Sequence, residues 1–210
     1  MSRAEVVGLM SNIINILDSI TELYSGIKGA QRLPQSFLEV SDKLPLVKDT
    51  LQIAMRHIIE HNPDGEPCRA MELTLQKCKG RAELLKNILK EVTLETDALR
   101  FYRYSLTVRR FGKESRVEEL MKGMLDDMLV LAQNPAIKAA TETQGGKLHR
   151  AIEELSALPP SLPEEESSHI HLHSGTGHQF NNTGGGAQHI NPGSGKLFVV
   201  GGNMSYGGER

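Results

Sequence analysis

Apolar residues recur at three- and four-residue spacing through about three-quarters of the chain, and then the pattern stops. Val6, Met10, Ile13, Ile14, Leu17 and Ile20 trace one face of a helix predicted over residues 3–27. Ser2 is placed to cap it, Glu5 suits its positive N-terminus, and Gly29 is a stop signal. A second helix opens at Leu33-Pro34 and carries Phe37, Val40, Leu44, Val47, Leu51, Met55 and Ile58 on its stripe. Pro45 lies within that stripe, which predicts a kink or short break near residues 42–44. His61-Asn62-Pro63-Asp64-Gly65 is a turn cluster.

A third helix is predicted from about Pro67 to Leu94, with Met71, Leu75, Cys78, Ala82, Leu85, Leu89 and Val92 inward and Gly80 weakening its middle. A fourth pattern covers residues 97–132, with a break at Gly112 and then a strong stripe of Val117, Leu120, Met121, Met124, Leu125, Met128 and Leu129. The last begins at Pro135 or Ala136, is weakest at Gly145-Gly146, and stops before Pro159-Pro160. Leu148, Ile152 and Leu155 complete its apolar face. Five helical patterns with short connections predict an all-α bundle of about five helices over residues 1–158, long enough to bury a core. No strand pattern precedes residue 167.

The composition then changes. Residues 159–168 read as a linker, with Pro159, Pro160 and Pro163 stiffening it and Glu164-Glu165-Glu166 a solvated charge run. From Ser167 onward the only charged residues, histidine aside, are Lys196, Glu209 and Arg210, and this end holds more than half of the 20 glycines. Such a segment has too few large apolar residues for a core and is expected to be disordered as a free chain. It is nonetheless phased. Three nine-residue blocks beginning at His173, Asn182 and Asn191 place glycine at their third and fifth positions: Gly175 and Gly177, Gly184 and Gly186, Gly193 and Gly195. Gln179 and Gln188 share the seventh position, where the third block has Leu197.

Asn-Gly-rich turns alternating with short extended pieces suit stacking in register, where each backbone amide pairs with the layers above and below. The candidate assembly residues are Gln179, Phe180, Asn182, Gly184, Gly186, Gln188, Ile190, Asn191, Gly193, Gly195, Leu197, Phe198 and Val199, within a motif spanning 169–208. The stretch 197–200 is the most β-prone piece. A flexible Gly-rich tail is the plainer reading. A calcium-binding β-roll is excluded because the segment from Ser167 has no Asp to ligate the ion.

Net charge is −2, so the chain as a whole gives no electrostatic case for nucleic acid. Two cysteines, Cys68 and Cys78, make neither a disulfide framework nor a four-ligand zinc site, and point to reduced thiols and a cytoplasmic setting. No signal peptide is evident, and the apolar-rich run at residues 6–17 is too short to span a bilayer alone.

Other candidate chemistry is sparse. His169, His171 and His173 alternate as metal ligands on a strand would, or are polar filler. His57 and His61 lie one helical turn apart without the metalloprotease order, as a surface pair would. Arg100, Arg103, Arg109, Arg110 and Lys113 interleave with Phe101, Tyr102, Tyr104 and Phe111. That pattern suits a solvated helix face, a nucleic acid, or an anionic lipid surface held by Arg103, Arg109, Arg110 and Lys113. The first helix has two readings: plain core, or a releasable membrane-targeting element through Val6, Met10, Ile13, Ile14 and Leu17. Asp18 and Glu22 oppose a lone span, but several copies could share that cost around a polar pore. No arrangement of nucleophile and base, and no carboxylate pair, marks an enzyme, and no cofactor motif is present.

A family resemblance adds to this. Ile16-Leu17-Asp18, Tyr24, Arg32-Leu33-Pro34, Phe37-Leu38-Glu39-Val40, Leu44-Pro45-Leu46-Val47 and Thr50-Leu51 resemble the SesA domain at the N-terminus of fungal NACHT and other P-loop NTPases. Val108-Arg109, Phe111-Gly112-Lys113 and Val117-Glu118-Glu119-Leu120-Met121 extend the likeness, which covers about residues 1–155. Asn182-Thr183-Gly184-Gly185-Gly186-Ala187-Gln188 resembles the fungal amyloid signalling motifs of the sigma or pseudo-palindrome type. The resemblance implies a HeLo-like effector of programmed cell death. Its tail would be converted by a nucleotide-binding receptor bearing a like motif, and its helical domain would then act at the plasma membrane. A non-lytic scaffold recruited through the same motif is the alternative. The implied partners are copies of the chain itself and an NLR-like NTPase. The chain has no Gly-x4-Gly-Lys-Ser/Thr loop, so it would be the receptor's stand-alone partner or a receptor-less regulator.

Overall fold

The first helix begins as its sequence dictates. The Ser2 amide donates to Glu5 Oε2 at 2.6 Å, the Ser2 hydroxyl donates to the same oxygen at 3.0 Å, and the Glu5 amide faces Ser2 Oγ at 3.4 Å. This reciprocal capping box starts α1 at Arg3–Ile27. Gly29, at φ +94°, lets the chain turn away in a backbone region that residues with a Cβ rarely adopt. The computed structural model describes residues 2–27, 29–30, 32–61, 63 and 66–163. Within them follow α2 (Gln35–His61), α3 (Glu66–Thr93), α4 (Asp97–Phe111), a 3-10 turn (Lys113–Ser115), α5 (Val117–Ala132) and α6 (Lys138–Ser156).

The fold is all-α, with six helices among the described residues rather than about five. The extra helix arises at the expected break: Gly112 sits at φ +96°, its amide bonding back to Val108 O, and separates α4 from α5. At Pro45 the expected break does not occur, since α2 runs through it uninterrupted. Pro45 is on the exposed face, where the orphaned backbone carbonyl one turn earlier can meet solvent. Leu44, Val47 and Leu51 beside it are buried, and at about 1.5–3 kcal/mol each they outweigh a proline cost of about 3 kcal/mol.

The last helix starts at Lys138, after a turn through residues 135–137. Asn134 holds that turn: its Oδ1 accepts from the Ala136 amide at 3.0 Å, and its Nδ2 donates to Pro67 O at 3.1 Å. Gly80 and Gly145-Gly146 lie inside unbroken helices.

α1 packs on α2 and α3, while α5 lies against α2, α3 and α6. The core runs between them, with Val6, Met10, Ile13, Ile20, Val47, Leu51, Leu75, Leu85, Met121, Met124 and Leu125 fully buried. α4 rests mainly on α3 and turns Leu99, Tyr102, Leu106 and Phe111 to solvent. The chain divides into two units between Pro163 and Glu164. The first therefore includes residues beyond α6: Leu158 and Leu162 pack against the core and Ser161 is buried.

Candidate functional site

The apolar face proposed for membrane targeting is the centre of the bundle. Val6, Met10 and Ile13 are wholly buried, and Ile14 and Leu17 nearly so. Arg3–Ile27 is, among the described residues, the helix long and apolar enough to cross a membrane by length and composition. Lys48 of α2 holds the polar side of α1 through an ion pair to Asp18 at 2.5 Å.

The basic–aromatic stretch on α4 is divided in its commitments. Arg103 donates to Glu95 Oε1 from Nε at 3.0 Å and from Nη2 at 2.7 Å, with Glu91 3.9 Å away. That carboxylate raises the pKa of its guanidinium. Arg100 is tied to the Glu95 carbonyl and to Asp97. Arg109, Arg110 and Lys113 are exposed at the end of α4 and in the turn after it, with Arg110 over the Phe111 ring at 5.4 Å. Phe101, Tyr102 and Phe111 are exposed as well, so of the four aromatic residues Tyr104 alone packs inward.

Tyr104 belongs to a buried polar chain. Ser161 donates its amide to Glu118 Oε1 at 2.8 Å and its hydroxyl to the same oxygen at 2.9 Å. The Tyr104 hydroxyl lies 2.6 Å from Ser161 Oγ and accepts from the Val117 amide at 3.2 Å. The Ser161 hydroxyl gives its one proton to Glu118, so the Tyr104 hydroxyl donates to Ser161. The bonds then run in one direction, from Val117 N–H through Tyr104 and Ser161 to Glu118. Burial raises the Tyr104 phenol well above its usual range, partly offset by the bond to Ser161. Phe37 of α2 meets Tyr104 edge-on at 4.9 Å and Tyr24 of α1 at 6.4 Å. Tyr24 is raised by burial and then by Tyr104 and Glu118. Tyr24 OH and Glu118 Oε2 are buried without a hydrogen-bond partner among the described residues.

The sequence marks Tyr104 as candidate chemistry, whereas Glu118 enters only within the family likeness and Ser161 not at all. A serine between prolines reads as linker, and a glutamate in a helix's first turn reads as a surface charge. Among the described residues no other chemistry converges. A cleft of about 580 Å³ at the α1–α2 junction is lined by Tyr24, Ile27, Leu33, Phe37 and Leu38. His57 and His61 stack at 3.9 Å on the surface, and among the described residues no three His, Cys, Asp or Glu side chains gather to hold a metal. His169, His171, His173 and all the candidate assembly residues from Gln179 to Val199 lie outside the described residues.

Residues 10–131 match the family model of SesA, described as the N-terminal domain on NACHT NTPases and P-loop NTPases. The match covers more than half of the chain. The chain belongs to the SesA family. Residues 170–206 match a second model, the sigma domain on NACHT NTPases. No curated protein and no solved structure matches the chain. Two segments of kinds associated with NACHT NTPases, joined in one SesA chain, place it in signalling alongside those NTPases. In the SesA domain, Tyr24, Phe37, Tyr104 and Val117–Glu118 of the buried chain fall inside the matched region, and Ser161 falls outside it.

Proposed function

We propose that this SesA protein is a non-enzymatic signalling effector of fungal, NLR-controlled programmed cell death, of the kind that serves heterokaryon incompatibility or innate immunity. A cytoplasmic NTPase carrying a like motif templates the 169–208 segment into a cross-β stack, and copies of the chain are gathered through it. The observation that carries this reading is the pairing, in one chain, of a SesA match over 10–131 with a sigma match over 170–206. The near absence of charge from Ser167 onward and the nine-residue glycine phasing supply the physical means, since little repulsion opposes stacking.

In the finer part of this proposal, the gathered helical domains act on the plasma membrane. The energetics bound how. Eight aliphatic side chains of α1 are buried, and exposing them to water costs on the order of 12–24 kcal/mol. That is comparable to or larger than the roughly 5–15 kcal/mol that typically holds a domain together. α1 therefore leaves the bundle only where lipid or a neighbouring copy covers it at once, which makes insertion an event of the assembled state.

The same burial favours a second reading, in which the domain stays folded and acts as a scaffold binding like domains on the NTPase. Dye release separates the two. Full-length protein is mixed with preformed fibrils of the 164–210 peptide and with vesicles containing phosphatidylserine. Leakage that needs both protein and fibrils supports the lytic effector. Intact vesicles beside fully converted protein support the scaffold. Protein that the fibrils never convert counts against both.

A further inference from the structure

Residues 158–163 have no secondary structure of their own, yet they are pinned at one buried point. Ser161 is 5% exposed, and its amide and hydroxyl share one oxygen of Glu118, at the start of α5. Leu158 and Leu162 pack on the core to either side. One residue beyond Pro163 the chain enters its second unit, so this strap is the covalent connection between the two. From Ser161 the contacts pass without a gap to Tyr104 on α4, to Phe37 on α2, and to Tyr24 near the end of α1.

We infer that residues 158–163 form a latch, and that the Ser161–Tyr104–Phe37–Tyr24 chain couples its release to loosening of the end of α1. Glu118 is the catch. While Ser161 is seated, one carboxylate oxygen takes two donors in a buried setting. When Ser161 leaves, that oxygen loses both donors and the other oxygen already has none, so Glu118 must reach solvent or a new donor. Tyr104 loses its acceptor in the same event, and the ring that packs on Phe37 is freed to shift. The Tyr24 hydroxyl has no hydrogen-bond partner among the described residues, so apolar packing, including its edge contact with Phe37, is what holds that ring in place.

A buried network left half satisfied opens more readily than an apolar core does. The coupling therefore runs along the polar chain rather than through the Met- and Leu-filled centre between α3 and α5. The latch stands whether or not the tail stacks. Its use in signalling rests on the function proposed above, where fixing residues 169–208 in a fibril would load the strap.

Hydrogen exchange on the free full-length chain tests the latch without any assembly step, so its failure is distinct from failure of the signalling reading. Ser161→Ala removes the hydroxyl and keeps the amide, and is expected to speed exchange about tenfold at the strap's three amides, at positions 158, 161 and 162, and at residues 23–27 of α1. The middle of α3, residues 75–85, should be unchanged. Tyr104→Phe keeps the ring against Phe37 and should reproduce the pattern, with the double variant adding little to either single change. Faster exchange at the strap alone would overturn the coupling. An unchanged strap would overturn the latch, and a uniform rise across all helices would show general destabilisation in its place.

Discussion

A Cβ on Gly123 would stand 2.8 Å from Cδ of Arg81, so the glycine on α5 is what lets the arginine of α3 lie across it to reach Asp127. Burial raises the Asp127 pKa, and Arg81 is the largest influence opposing that rise. Gly123→Ala gains about 1 kcal/mol of helix propensity but displaces a charged hydrogen bond worth about 1.5–3 kcal/mol. The expected result is a net loss of about 1 kcal/mol in denaturant unfolding. In an Arg81→Ala background the same change should stabilise by about 1 kcal/mol. Stabilisation by Gly123→Ala in the unaltered protein would show that Arg81 moves aside at no cost.

Pro45 sits in an unbroken helix on its exposed face. Pro45→Ala restores a backbone hydrogen bond and relieves the ring's clash with the preceding turn. Allowing for the greater freedom of the unfolded chain, it should stabilise the domain by about 1–2 kcal/mol. Thermal unfolding reads this directly, and a lower melting temperature would mean the proline is required by packing not visible in its contacts.

The Glu5 carboxyl is held below its usual range by the Ser2 amide and hydroxyl. Because its pKa is lower in the folded state, the stability it contributes is present above the unfolded value and lost as pH falls through the folded one. Amide protection in the first turn of α1, corrected for the intrinsic pH dependence of exchange, should therefore fall as acid protonates Glu5, and Glu5→Gln should flatten that dependence. An identical pH response in Glu5→Gln would count against the capping box.

Cys68 and Cys78 are buried, and burial pushes the Cys78 thiol far up, with Asp127 adding to the effect. Thiolate is the reactive form. Both cysteines should resist a maleimide in the native protein and react at the rate of global unfolding. Rapid modification of Cys78 at neutral pH would contradict its burial on α3.

The helices were legible because burial on one face leaves a periodic record, and Val6 to Ile20, Met71 to Val92 and Val117 to Met128 kept that record clean. Gly112 was legible as a break because its backbone angle is one that few other residues tolerate. Pro45 misled, since its local cost is visible in the sequence while the burial that offsets it is not. The start of α6 slipped to Lys138 because Asn134 bonds to Pro67, a partner 67 residues away. Ser161 was illegible for the same reason: Glu118 and Tyr104 meet it only through the fold. Arg103 pairs with Glu95, eight residues earlier, a contact that the basic–aromatic pattern alone does not announce.

The most direct test of the central claim is seeded conversion of the full-length chain. Fibrils of the 164–210 peptide are added to soluble protein, and thioflavin growth and fibre diffraction are followed. The same is done with a chain whose residues 169–208 are shuffled at constant composition. Rapid growth with a spacing of about 4.7 Å is expected for the natural order and none for the shuffled one. Equal growth from both chains, or none from the natural chain, would contradict that claim.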